Sequence, residues 1–185
     1  EGAATSALSD TLVTTGVPLN NQKGCFEFIR EITFRMKVKK PGYQIQKTAK
    51  IKGEGDDKWR KEVNARIGDQ IEWRIYFHNI GSSKLFAVSV VDQIPSFHTV
   101  VPGSIVLKRT GKADYTFPDS AIQANGRQVN AGISSYESGK DGILYLTTVI
   151  QNVPELRCGV QQMANVVYVT PEGLQEATEE NYVIN

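Results

Sequence analysis

Two cysteines, two histidines and a net charge of only +1, from 21 basic against 20 acidic side chains, are what this 185-residue chain has little of. Each shortage excludes a class of function. Neither His78 nor His98 lies at ligand spacing from Cys25 or Cys158, so no metal site is expected, and nothing in the chain calls for a cofactor. Balanced charge supplies no field to draw in nucleic acid or an anionic membrane. No apolar run approaches the roughly 20 residues that cross a bilayer. A nucleophile elbow, a Gly-rich phosphate loop and an HExxH helix are all missing, which leaves an enzyme reading without a motif. The chain opens at Glu1 with neither a methionine nor a signal-like segment, and it reads as a piece of something longer.

What is present is alternation. Hydrophobic residues make up 40% of the chain, enough for a core. They recur with period two: in IEWRIYFH (71–78), Ile71, Trp73, Ile75 and Phe77 share one face of a half-buried strand. ITFRMKV (32–38), FAVSVVDQI (86–94), SIVLKRT (104–110), ILYLTTVI (143–150) and MANVVYVT (163–170) read the same way. Between them lie turn formers such as KKPGY, KGEGDD, HNIGSS, VPGS, SGKDG and TPEG. Short strands and frequent turns predict an all-β, immunoglobulin-like β-sandwich with Greek-key connections over residues 41–185.

Residues 1–40 are different, rich in small and polar residues up to Cys25. Residues 14–38 align without gaps on 147–171, each starting Thr-Thr with a cysteine eleven positions later. This suggests an N-terminal extension: the tail of an upstream repeat, or an added strand. Cys25 and Cys158 leave two readings open, a single disulfide in an oxidising compartment or two buried thiols.

Three polar residues interrupt apolar faces. In YQIQKTAKI (43–51), Lys47 shares its face with Tyr43, Ile45, Ala49 and Ile51. Asp92 stands with Phe86, Val88, Val90 and Ile94, and Asn165 with Met163, Val167 and Val169. Singly, each has an ordinary explanation: a solvated edge lysine, a carboxylate bonding a turn, an asparagine at a bulge. Together they fit one reaction. Burial lowers a lysine pKa and raises a carboxyl pKa. The neutral amine can then attack the asparagine carboxamide while the acid polarises it and relays protons to departing ammonia. The product is an uncharged Lys47–Asn165 isopeptide bond.

IEWRIYFHNIGSSKLFAVSVVDQIP (71–95) followed by VVPGSIVL (100–107) resembles the conserved repeat domain of bacterial surface proteins known as domain of unknown function 11. The same stretch is similar to the CnaA-type domains of Gram-positive collagen adhesins and pilins. That resemblance implies a lysine on the first strand joined to an asparagine on the last, with an aspartate catalysing the step. Lys47, Asn165 and Asp92 match these by position. It further implies an extracellular stalk or spacer module on a bacterial cell surface, with neighbouring repeats as partners. The alternative is an adhesive module whose loops bind a host protein or glycan; Tyr115, Phe117 and Tyr136 are the aromatics to look to, and they read first as satellite core.

Overall fold

The computed structural model describes residues 37–156 and 160–185. All but Lys37 fall in one compact unit, 38–185. The expectations for the N-terminal extension, its repeat, the strand at 32–38 and the Cys25–Cys158 pair rest on positions outside the described residues.

Among those residues the fold is two six-stranded sheets. The first contains β1 (Gln44–Ile51), β3 (Gln70–His78), β5 (His98–Val100), β6 (Val106–Arg109), β7 (Tyr115–Thr116) and β10 (Asp141–Ile150). Its order is β1-β3-β10-β6-β7, with β5 also pairing β10. The second contains β2 (Glu62–Asn64), β4 (Leu85–Gln93), β8 (Ile122–Gln123), β9 (Gln128–Tyr136), β11 (Gln162–Thr170) and β12 (Ala177–Ile184). Its order is β2-β12-β11-β4-β9-β8, antiparallel throughout except where β2 meets β12. The chain changes sheet after β1, β2, β3, β4, β7, β9 and β10, which gives the expected Greek-key sandwich.

Alternation decides which side chains enter the core. β3 buries Ile71, Trp73, Ile75 and Phe77, and β11 buries Met163, Val167 and Val169. Burying a side chain of this size stabilises by about 1.5–3 kcal/mol against leaving it in water. Tyr43, Phe77 and Tyr136 stack through the end of the core, with ring centroids 5.5 and 4.6 Å apart. Gly142 makes room for Tyr136, because a Cβ there would lie 2.2 Å from the phenol oxygen. Asn79, at the end of β3, accepts from Gly81 N at 3.0 Å and donates to the carbonyls of Ser83 and Tyr136. It serves the HNIGSS turn. Gly81 is needed there because a Cβ would come within 2.5 Å of Gly42 N.

Two expectations are corrected, and the satellite-core reading holds for Phe117 and Tyr136. Phe86 is 54% exposed, not in the core. Ala87 adopts a positive φ of 41°, which breaks the alternation, so Leu85 and Val88 turn inward and Phe86 lies under the Lys84 ammonium. Phe117 and Tyr136 are buried and offer no surface to a ligand, while Tyr115 stays half exposed, edge-on to Phe117. Asn165 is not on the last strand, because β12 follows β11 and pairs with it along its length.

Candidate functional site

Lys47, Asp92 and Asn165 are each fully buried, and they meet. β1 is an edge strand, yet Lys47 points inward, because register with β3 places it opposite Ile75 on the core face. From there its side chain crosses to the second sheet. In that sheet Asp92 on β4 lies opposite Val167 of β11. Asn165, two residues earlier on β11, is therefore its diagonal neighbour on the same face. Lys47 Nζ donates to Asn165 Oδ1 at 2.6 Å and forms an ion pair with Asp92 Oδ1.

Aromatic and aliphatic groups close the site. The ammonium lies 5.4 Å from the centroid of the Trp73 ring, on the strand next to its own. Trp73 is itself held: its Nε1–H donates to Thr148 Oγ1 at 2.9 Å, and Thr148 Oγ1 lies 3.0 Å from His98 Nδ1. All three side chains are buried. Burial is also the cause of the His98 pKa falling to about 4, so the ring is neutral at physiological pH.

Electrostatics push the lysine and the aspartate toward each other's protonation state. Burial lowers the Lys47 pKa to about 8, although Asp92 pulls it back up. Burial raises the Asp92 pKa, against the opposing pull of Lys47 and the Asn165 amide. Both shifts favour moving a proton from ammonium to carboxylate, which leaves an amine and an acid. The ion pair is also incomplete. Asp92 Oδ2 and Asn165 Nδ2 are buried without a hydrogen-bond partner among the described residues. An orphaned buried polar atom costs about 1–3 kcal/mol, and a buried ion pair recovers its desolvation only when its remaining atoms are satisfied. As a purely structural salt bridge this arrangement is poor. As an amine held against a carboxamide beside an acid, it has the parts of an acyl transfer.

Sequence reasoning named these three residues and missed two neighbours. Trp73 was read as core and not as the wall of a site. Asn181 was not read at all, because ATEENYVI (177–184) turns Ala177, Glu179, Asn181 and Val183 to one face, which looks too polar for a strand. Glu179 is accommodated by an ion pair with Lys61, and Asn181 is fully buried. On the outer face of the first sheet, Lys50 is also buried. The Trp59 ring lies between Lys50 and Arg74, at 4.8 and 4.7 Å, and Asp56 and Glu72 neutralise the ammonium. Among the described residues no group of three His, Cys, Asp or Glu side chains is placed to hold a metal ion, and no helix is long and apolar enough to cross a membrane.

No family model matches the chain, and no curated protein does. Solved structures share its fold. The major pilin subunit BcpA of Bacillus cereus superposes with a TM-score of 0.53 at 14% identity, over 77% of this chain and 40% of that one. A structure named BspA_C_WT gives 0.51 at 12% identity, over 77% of this chain and 50% of that one. The collagen-binding domain from a Staphylococcus aureus adhesin gives 0.46 at 15% identity, over 63% of this chain and 88% of that one. The chain thus spans well under two thirds of the pilin. At these identities the likeness is one of fold: the described residues form an immunoglobulin-like β-sandwich, as part of the pilin subunit does.

Proposed function

We propose that this chain is a structural stalk or spacer module of a bacterial cell-surface protein, stiffened by a self-made isopeptide bond between Lys47 and Asn165. The observation that supports it is the meeting of an amine, a carboxylic acid and a carboxamide inside an apolar core. The ammonium of Lys47 gives its proton to Asp92. The lone pair of the amine attacks Asn165 Cγ while Asp92 protonates the carboxamide, and the Cγ–Nδ2 bond breaks. Nδ2 leaves as ammonia with the proton that Asp92 first took from the ammonium, and Asp92 takes a second proton from the lysine nitrogen as it becomes the amide, which restores the acid. Two buried charges become a neutral amide, so the desolvation penalty of the ion pair disappears with the reaction.

The strand arrangement suits a module under tension. Tyr43 Oη donates to the carbonyl of Val169 at 2.9 Å, which sets the start of β1 beside the end of β11. β12 runs back along β11 and finishes opposite Gln162. The described unit is therefore entered at one end of the sandwich and left at the other. With the bond in place, tension would pass from Lys47 directly to Asn165, bypassing a span of 118 positions. The start of β1 up to Lys47, β11 from Asn165 onward and β12 would remain under load. Residues 1–40 fit this reading as the tail of an upstream copy, with neighbouring repeats as the partners.

Intact mass under reducing conditions tests the proposal. The folded protein should be lighter than its sequence by one ammonia, and Lys47→Ala or Asp92→Ala should restore the full mass. Well-folded protein of unmodified mass would overturn it.

A further inference from the structure

Asn165 Nδ2 carries two N–H bonds, and neither has a hydrogen-bond partner among the described residues. Two buried acceptors flank it that also lack one, Asp92 Oδ2 and Asn181 Oδ1. They stand on opposite sides. Asp92 is on β4, whereas Asn181 is on β12, directly opposite Asn165 in register. Gln161 and Asn185 exchange both backbone hydrogen bonds at 2.9 Å. Counting inward by two from that pair makes 165 and 181 a hydrogen-bonded pair too, with Cα atoms roughly 5.5 Å apart and side chains on one face.

The orientation of Asn181 is constrained from outside the site. Its Nδ2 donates to the carbonyl of Arg60 at 3.1 Å. Arg60 is pinned in turn to β1, exchanging backbone bonds of 2.9 Å with Ala49. With its nitrogen engaged there, Asn181 has only Oδ1 to offer inward. One donor group with two free N–H bonds between two free acceptors is a matched set.

We propose that Asn181 is a positioning residue for the cross-linking step, accepting one N–H of Asn165 Nδ2 while Asp92 Oδ2 takes the other. This rests on the isopeptide reading above. The consequence is orientational. An unheld carboxamide can rotate by half a turn, which exchanges Oδ1 and Nδ2 and presents the leaving group to the lysine. Held from both flanks, it keeps Oδ1 on Lys47 Nζ and keeps its nitrogen beside the acid that must protonate it. Asn181 then receives an N–H of the departing ammonia, on the side of the site that faces β2 and the open end of its sheet.

The test compares Asn181→Leu, which keeps the volume and removes the acceptor, with Asn181→Asp, which keeps an acceptor oxygen. Each is made by cell-free synthesis and followed by intact mass against time, with near-UV circular dichroism confirming the fold. Asn181→Leu should lose ammonia roughly 10- to 100-fold more slowly than the parent, the usual cost of a misplaced reacting group, and Asn181→Asp should stay near the parent rate. A second measurement does not depend on the reaction. In the Lys47→Ala background, NMR exchange of the Asn165 carboxamide protons should speed up about tenfold on adding Asn181→Leu, a loss of protection of one hydrogen bond's worth. Parental cross-linking by Asn181→Leu, equal slowing by both substitutions, or unchanged amide exchange would each overturn the role of Asn181. If the parent itself never loses ammonia, the isopeptide reading falls, and the exchange comparison alone decides whether Asn181 holds Asn165.

Discussion

Replacing Lys47 with methionine removes the nucleophile and its charge, leaves Asp92 to be held as the neutral acid by burial, and keeps an unbranched chain of similar length to fill the space beneath Trp73. What it isolates is the covalent strap. The loop closed by residues 47 and 165 spans 118 positions. In the chain-entropy relation, closing a loop of that length stabilises by about 4.9 kcal/mol at 25 °C. For a unit of this size each kcal/mol moves the melting temperature by about 2–4 °C, so Lys47→Met should melt about 15 °C below the cross-linked parent. Asp92→Asn blocks the reaction differently. It leaves an ammonium in the core without its counter-charge, and breaking a buried pair in that way costs about 3–5 kcal/mol. The expected order of melting temperatures is parent, then Lys47→Met, then Asp92→Asn. Calorimetry paired with intact mass on each sample reads both quantities. A Lys47→Met protein that melts within about 3 °C of the parent, or above it, would refute the reasoning, because a lost strap of this length cannot leave the melting temperature unchanged.

Two further outcomes concern pH. The reactive form of the Lys47–Asp92 pair holds one proton between the two groups, so its population is level between their titrations and declines on either side. With Lys47 near 8 and Asp92 raised, the rate of ammonia loss in freshly synthesised protein should be level from the Asp92 titration up to pH 8 and fall about tenfold per unit well above it; a rate that keeps rising past pH 9 would contradict an acid role for Asp92. His98, held neutral with a pKa of about 4, binds its proton more weakly folded than unfolded. Its contribution is therefore complete above pH 6.5 and lost as pH falls from 6.5 toward 4, by up to about 3 kcal/mol. Urea midpoints across that window should show the loss in the parent and a shallower slope in His98→Gln, and parallel slopes would remove His98 as the cause.

The sandwich was legible because a strand writes its two faces alternately into the sequence. IEWRIYFH names its buried side without ambiguity, and the same period made Lys47, Asp92 and Asn165 conspicuous as polar residues on apolar faces. The rule failed where the backbone departed from it or where polar residues were buried in pairs. Ala87, at positive φ, shifted the pattern by one and put Phe86 outside. β12 stayed hidden because its inward positions include Glu179, answered by Lys61, and Asn181, answered by Arg60. Lys50, on the outer face where alternation alone predicts solvent, is buried because a loop brings Trp59 over it.

Sequence alone determined which side chains point inward wherever the two-residue period of a strand runs unbroken and its inward face is apolar, as in β3 and β11. It also determined that a lysine, an acid and a carboxamide would be among them. That these three meet, and that Asn181 faces Asn165 from the far side, was decided by the tertiary structure. Residues 45 and 118 positions apart come together only through the order and register of strands in two sheets, and register is set by long-range backbone pairing that no local stretch of sequence contains.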